Sequence, residues 1–264
     1  MDMDKRKRFG WAVILACVLI AGGAGPALAE EVRQPQQQPG VFEEIQIKRQ
    51  DVTGDGKPDV VTLLGQRFAA DSPYFEKLKV MVQDPVAKKT TFFTTAYGGY
   101  QPDMAFCDFI GNGTKQILVQ APTGGSGGTS DFYLFSNKDN KPVVLPVPQP
   151  LTISGSYQDN YKVPILIKET NQTTVLDLSD RKKIYEENGV YKNGKLVTPT
   201  DVMPNSFSVL APVDENRDGI CELKGVQRVS GVANADTIAY VESLWKWDKT
   251  SWKLQKAEVK KAEM

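Results

Sequence analysis

Histidine is absent from all 264 residues. That excludes Ser-His-Asp and Cys-His catalysis and most catalytic zinc sites, which need an imidazole as base or ligand. Charge of one sign is not in excess either: 32 basic and 32 acidic side chains balance, and no basic stripe points to nucleic acid. No stretch sustains a helical period, so the fold is to be built from strands and turns. Long apolar runs are also missing, apart from the one near the N-terminus.

That run, Phe9 to Ala24, follows Lys5-Arg6-Lys7-Arg8 and precedes Ala27-Leu28-Ala29. The three parts read as a signal peptide over residues 1–29, cleaved after Ala29, and imply a secreted or cell-envelope protein outside the cytoplasm. Left uncleaved, this segment would be the membrane contact, although Gly22-Gly23 and Pro26 interrupt it. Ile14-Leu15-Ala16 before Cys17 is a poor lipobox, because the apolar run continues past the cysteine. Cleavage removes four basic and two acidic side chains and leaves a net charge near −2. Residues 30–40, EEVRQPQQQPG, are polar and rich in Pro and Gln, as expected of a disordered linker. The folded domain is expected over residues 41–259, with 260–264 a charged, disordered tail.

Within that domain the stretch Asp51 to Gly65, DVTGDGKPDVVTLLG, is an acidic turn running into a β-branched strand. It has a near-copy at Asp214 to Gly225, DENRDGICELKG. The first places Asp51, Thr53, Asp55 and Asp59 at positions 1, 3, 5 and 9, with the Lys57 carbonyl at 7 and Gly56 free to take the positive φ of a sharp turn. The second places Asp214, Asn216, Asp218 and Glu222 in the same phase, with the Ile220 carbonyl at 7 and Gly219 at the turn. Hard oxygens at alternate positions suit Ca²⁺, which takes roughly six to eight of them at about 2.3–2.6 Å. An EF-hand is excluded: position 12 is Thr62 or Gly225 where a Glu is needed, and the flanks are strand-like. The simpler account is a metal-free Asx-rich turn. The pattern resembles the FG-GAP/VCBS-type repeats of integrin α-chain β-propellers, in which a D-x-[DN]-x-D-G-x-x-[DE] loop joins the first two strands of a blade. That resemblance implies calcium-binding turns and a partner-binding surface.

A weaker third copy starts at Asp108, where Ile110, Asn112 and Gln116 replace the stronger ligands, so metal is not expected there. The three starts are 57 and 106 residues apart, which leaves room for a fourth unit near Asp159-Asn160. Each unit yields about four strand-like runs, the third being the least regular and ending in a hairpin at Asn193-Gly194. Four-stranded units at a period of about 50 residues are the mark of propeller blades. The expectation is an all-β chain forming a small propeller-like fold of about four blades, with an incomplete propeller or β-sandwich as the alternative.

Three further features stand out in the sequence. Gly124 to Ser130 lacks the Gly-Lys-Ser/Thr ending of a phosphate loop and reads as a flexible hairpin connection at the end opposite the acidic turns. Trp245, Trp247 and Trp252, together with Phe92, Phe93, Tyr97 and Tyr100, read as packing residues. Cys107 and Cys221 read as two separate buried thiols, since a bridge needs Cα atoms within about 7 Å, which spacing does not reveal. The function expected is a non-enzymatic calcium-binding module for a cell-surface protein or glycan. The alternative is a carbohydrate-active enzyme using carboxylates such as Asp103, Asp131 and Asp159.

Overall fold

The computed structural model describes residues 41–263. The expected export signal and linker therefore lie outside the described residues.

The chain is all-β and is built from antiparallel meanders, none of which closes on itself. The first sheet runs β1 (Glu43–Gln50), β2 (Asp59–Arg67), β3 (Tyr74–Asp84) and β4 (Lys89–Thr94), with the short β5 (Gly99–Tyr100) also on β3. The second runs β6 (Asp103–Cys107), β7 (Gln116–Pro122), β8 (Ser130–Ser136) and β9 (Val143–Leu145). The third has only β10 (Ile153–Gly155), β11 (Lys162–Ile167) and β12 (Gln172–Asp177). Where a fourth strand is expected, the chain instead forms the short helix α1 (Lys182–Glu187) and the hairpin β13 (Tyr191–Lys192) and β14 (Lys195–Leu196). Asn193 and Gly194 have φ of +51° and +75° at that hairpin, the left-handed pair that an Asn-Gly turn supplies. The last sheet is β15 (Met203–Val213), β16 (Glu222–Ser230), β17 (Thr237–Asp248) and β18 (Ser251–Lys261).

Two apolar clusters set the order of the layers. Val61, Leu63, Val80 and Val82 of the first sheet pack with Ile117, Val119, Ala121 and Phe135 of the second. Leu118 and Leu134 of the second sheet instead join Leu223, Val241 and Trp252 of the fourth and Val163 and Ile165 of the third. Neighbouring residues of β7 thus point into different cores, so the second sheet is buried on both faces, as the unbroken buried run Gln116–Val119 records. Direct ties run first to second, second to fourth, and fourth to third: Asn140 to Asp84, Trp252 Nε1 to the Pro146 carbonyl, and Gln227 Oε1 from the Leu151 amide.

Two expectations are corrected here. Cys107 and Cys221 form a disulfide with Cα atoms 6.1 Å apart. The reason is the parallel bridge between their neighbours Asp108 and Ile220, with the Cys221 amide donating to the Asp108 carbonyl at 2.8 Å. The tail is also shorter than expected. β18 pairs out to Lys261 against Ala239, and Ala262 is buried with its amide bonded to Ile238.

Candidate functional site

In a meander, alternate turns fall at opposite ends of the sheet. The β1–β2, β6–β7 and β15–β16 turns, which are the three acidic ones, share one end. They stand side by side: the Thr114 hydroxyl occupies the space beside Gly54, the Asp139 amide donates to the Thr53 carbonyl at 2.9 Å, and Asp108 is bridged to Ile220.

Each turn is wired in nearly the same way. Asp51 accepts from the Gly54 and Gly56 amides at 2.6 and 2.9 Å, and Asp55 accepts from Lys57 at 2.8 Å. Asp108 accepts from Gly111, Asn112 and Gly113, and Asn112 from Thr114. Asp214 accepts from Asp218 and Gly219, and Asp218 from Ile220 at 2.8 Å. Gly56, Gly113 and Gly219 sit at φ of +83°, +74° and +85°, a conformation that favours glycine.

Position nine separates the three. Asp59 is fully buried and accepts from the Val52 and Thr53 amides at 2.9 and 3.0 Å and from the Thr53 hydroxyl. Burial pushes its carboxyl up, against those hydrogen bonds. Gln116 does the same for the Phe109 and Ile110 amides. Glu222 does not: one oxygen lies 3.3 Å from the Lys246 ammonium, and Oε2 is buried with no hydrogen-bond partner.

The expected ligands are therefore distributed unequally. In the first-sheet turn Thr53 and Asp59 are turned inward, Asp59 accepting from the turn's own amides and from the Thr53 hydroxyl, which leaves the half-buried Asp51 and the exposed Asp55 as its outer carboxylates. Lys57 and Ile220 occupy position seven, each with its amide held by the position-five carboxylate. In the fourth-sheet turn Asn216 both accepts from the Asp218 amide and donates to its side chain. The Ile220 amide, and then Asn216, hold the Asp218 carboxyl below its ordinary value. Among the described residues no three Asp, Glu, Cys or His side chains stand together as a metal-holding group.

Of the candidate catalytic carboxylates, Asp103 and Asp131 lie on opposite faces of the second sheet. Asp103 is level with Gln120, and Gln120 with Phe132, so Asp131, one residue before Phe132, points to the other face of the sheet. Asp159 is ion-paired with Lys195 at 2.7 Å. At the far end, Gly124 to Ser130 is held by three residues. Tyr100 fills the space that a side chain at Gly124 would need, and Arg228 and Asn234 donate to the Ser126 carbonyl and hydroxyl. Phe93 stacks on Phe135 and Trp247 meets Trp252 edge to face, as packing residues should, but Phe92 and Tyr97 are 53% and 66% exposed. Tyr133 fixes Tyr97 there by bonding both its amide and its carbonyl.

Sequence reasoning missed Lys246, although the register Leu223↔Trp245 places it directly across from Glu222. It also missed the buried Arg181–Asp236 pair, 55 residues apart and without any local pattern.

Sheets stacked in this way, with acidic turns at one end, define an all-β protein of several open antiparallel sheets. Residues 151–260, the third and fourth sheets, match the YybI C-terminal domain family. The chain is also 32% identical over 205 residues, 76% of its own length and 78% of the relative's, to the uncharacterized protein YybI of Bacillus subtilis (strain 168). It belongs to the YybI family.

Proposed function

We propose that this chain is an exported, non-enzymatic, calcium-binding module that serves as a binding or scaffold element at the cell envelope. In this reading the three sheets that carry acidic turns stack as an incomplete propeller, with the third sheet outside the series. The observation that carries it is Glu222. A carboxylate oxygen that is buried and unpaired is costly and calls for an explanation. It lies at position nine of a turn with Asp214, Asn216 and Asp218 at positions 1, 3 and 5, the donor set that Ca²⁺ takes. Bound there, the ion would neutralise the turn and tie β15 to β16. The first-sheet turn fits less well, because Asp59 already serves its own amides and the Thr53 hydroxyl is given to Asp59.

The disulfide supports an oxidising, extracytoplasmic location. The missing histidine, the opposite-facing Asp103 and Asp131, and an Asp159 already paired with Lys195 support a binding role. The resemblance to FG-GAP/VCBS repeats favours the end opposite the acidic turns, with Tyr97 and Gly124 to Ser130, as the surface for a cell-surface protein or glycan.

The test is thermal melting in millimolar Ca²⁺ against chelator. Saturation at about 100 Kd stabilises by about 2.7 kcal/mol, which is a rise of roughly 5–10 °C for a domain of this size. Asp218→Ala should lose the fourth turn's share of that rise and Asp55→Ala the smaller share of the first. Glu222→Gln should raise the melting point in chelator and abolish most of the calcium response. An unchanged midpoint in wild type removes the calcium reading.

A further inference from the structure

A second site lies at the other end of the molecule, away from the acidic turns. A cleft of about 710 Å³ opens between α1 and the β16–β17 turn and is lined in part by Ile184, Tyr185, Asn188, Val232, Asp236 and Glu263. Its floor is polar and fixed. Arg181 and Asp236 pair at 2.7 Å with side chains only 8% and 17% exposed, and the second Asp236 oxygen accepts from the Tyr185 hydroxyl at 2.9 Å and the Val232 amide at 3.1 Å. The rim is apolar, with Ile184 and Val232 52% and 37% exposed. An apolar wall around a few convergent polar groups is the usual anatomy of a ligand pocket of several hundred Å³. A buried ion pair contributes little stability that apolar packing would not, which leaves its retention to be explained by something else.

We propose that this cleft binds a protonated primary amine carried on an apolar body. The Arg181 guanidinium is the floor's positive charge; Nη1 is committed to Asp236 and Nη2 to the Ala262 carbonyl, and Nε, which has no partner, is buried out of an incoming group's reach. What the cleft offers an incoming group is therefore acceptors: the Glu263 carboxylate and the side-chain oxygen of Asn188, whose nitrogen donates to the Ile184 carbonyl, above an Asp236 carboxylate already held by Arg181, Tyr185, Tyr157 and Val232. An anion would meet two carboxylates with the single guanidinium behind them. A neutral alkyl ligand would desolvate those carboxylates without pairing them. An alkylammonium satisfies both the acceptors and the apolar rim. The same chemistry comes from a free amine or from a lysine side chain on a polypeptide.

The experiment uses the full chain and n-hexylammonium as probe, with n-hexanoate and n-hexanol as controls, followed by amide shifts in two-dimensional NMR. Saturable shifts confined to residues 181–190, 231–237 and 262–263 are expected, with both controls at least tenfold weaker. Asp236 is left intact, because removing it would strand Arg181 in the interior. Glu263→Gln and Ile184→Ser, both at exposed positions, should each weaken hexylammonium at least threefold without changing the melting point. Competition by Nα-acetyl-lysine amide would assign the site to a lysine side chain, and its failure beside bound hexylammonium to a free amine. Equal binding of hexanoate or hexanol, shifts elsewhere or none, or indifference to both variants would overturn the proposal. None of these readouts depends on calcium.

Discussion

Opening the Cys107–Cys221 bridge tests the layer order most directly, because it joins the second and fourth sheets across 114 residues of chain. In the chain-entropy account, closing a loop of that length in the unfolded state stabilises the native state by about 5 kcal/mol. The native seam has other ties: Gln120 and Ser130 donate to the Ser208 carbonyl at 3.2 and 3.1 Å, and Trp252 to Pro146 at 2.8 Å. The reduced protein should therefore fold to the same structure and lose stability mainly through its looser unfolded state.

The assay is urea unfolding of residues 30–264, followed by tryptophan fluorescence, since Trp245, Trp247 and Trp252 all lie at the fourth sheet. Oxidised protein, reduced protein and Cys107→Ala/Cys221→Ala are compared. Reduced and doubly substituted proteins should each be less stable by about 2–5 kcal/mol, with a steeper denaturant dependence because a longer free chain exposes more surface. Alkylation of the unfolded, unreduced protein should label no thiol. A loss below about 1 kcal/mol in both, or quantitative labelling without reductant, would refute the reasoning.

Two further perturbations are read from the structure. Asn140 donates to the buried Asp84 carboxylate across the first and second sheets and, with the Ala87 amide, holds that carboxyl below its ordinary value. A depressed folded-state pKa gives stability that is present above the unfolded value of about 3.9 and lost as pH falls through the folded one. Asn140→Ala should therefore cost roughly 1.5–3 kcal/mol at pH 7, a gap that urea titration at stepped pH should see shrink below about pH 4; a gap independent of pH would contradict this. At Gly98 an added Cβ would run into the Phe75 backbone carbonyl, which cannot swing aside. Gly98→Ala should cost about 2 kcal/mol or more and lower the melting point by at least roughly 4 °C; an unshifted midpoint would show that the β4–β5 connection has room to move.

The strands were legible because apolar alternation and turn residues are local signals. Asn193-Gly194 announces its hairpin, and the Asp248–Ser251 turn returns Trp252 opposite Trp247. The ties between sheets were not legible, since nothing near Cys107 in the sequence points 114 residues ahead. The helix Lys182–Glu187 is six residues long, too short for a 3.6-residue period to show. The acidic turns were found by pattern, but the pattern alone does not say what each oxygen does, because an Asx turn and a calcium loop draw on the same residues at the same spacing. Position nine makes the point. Asp59 and Gln116 fold back onto the amides of their own turns, whereas Glu222 leaves one oxygen buried and unpaired and gives the other to Lys246. A carboxylate spent on its own backbone has less left for an ion, so the turn with an unspent one is where added metal should have its largest effect.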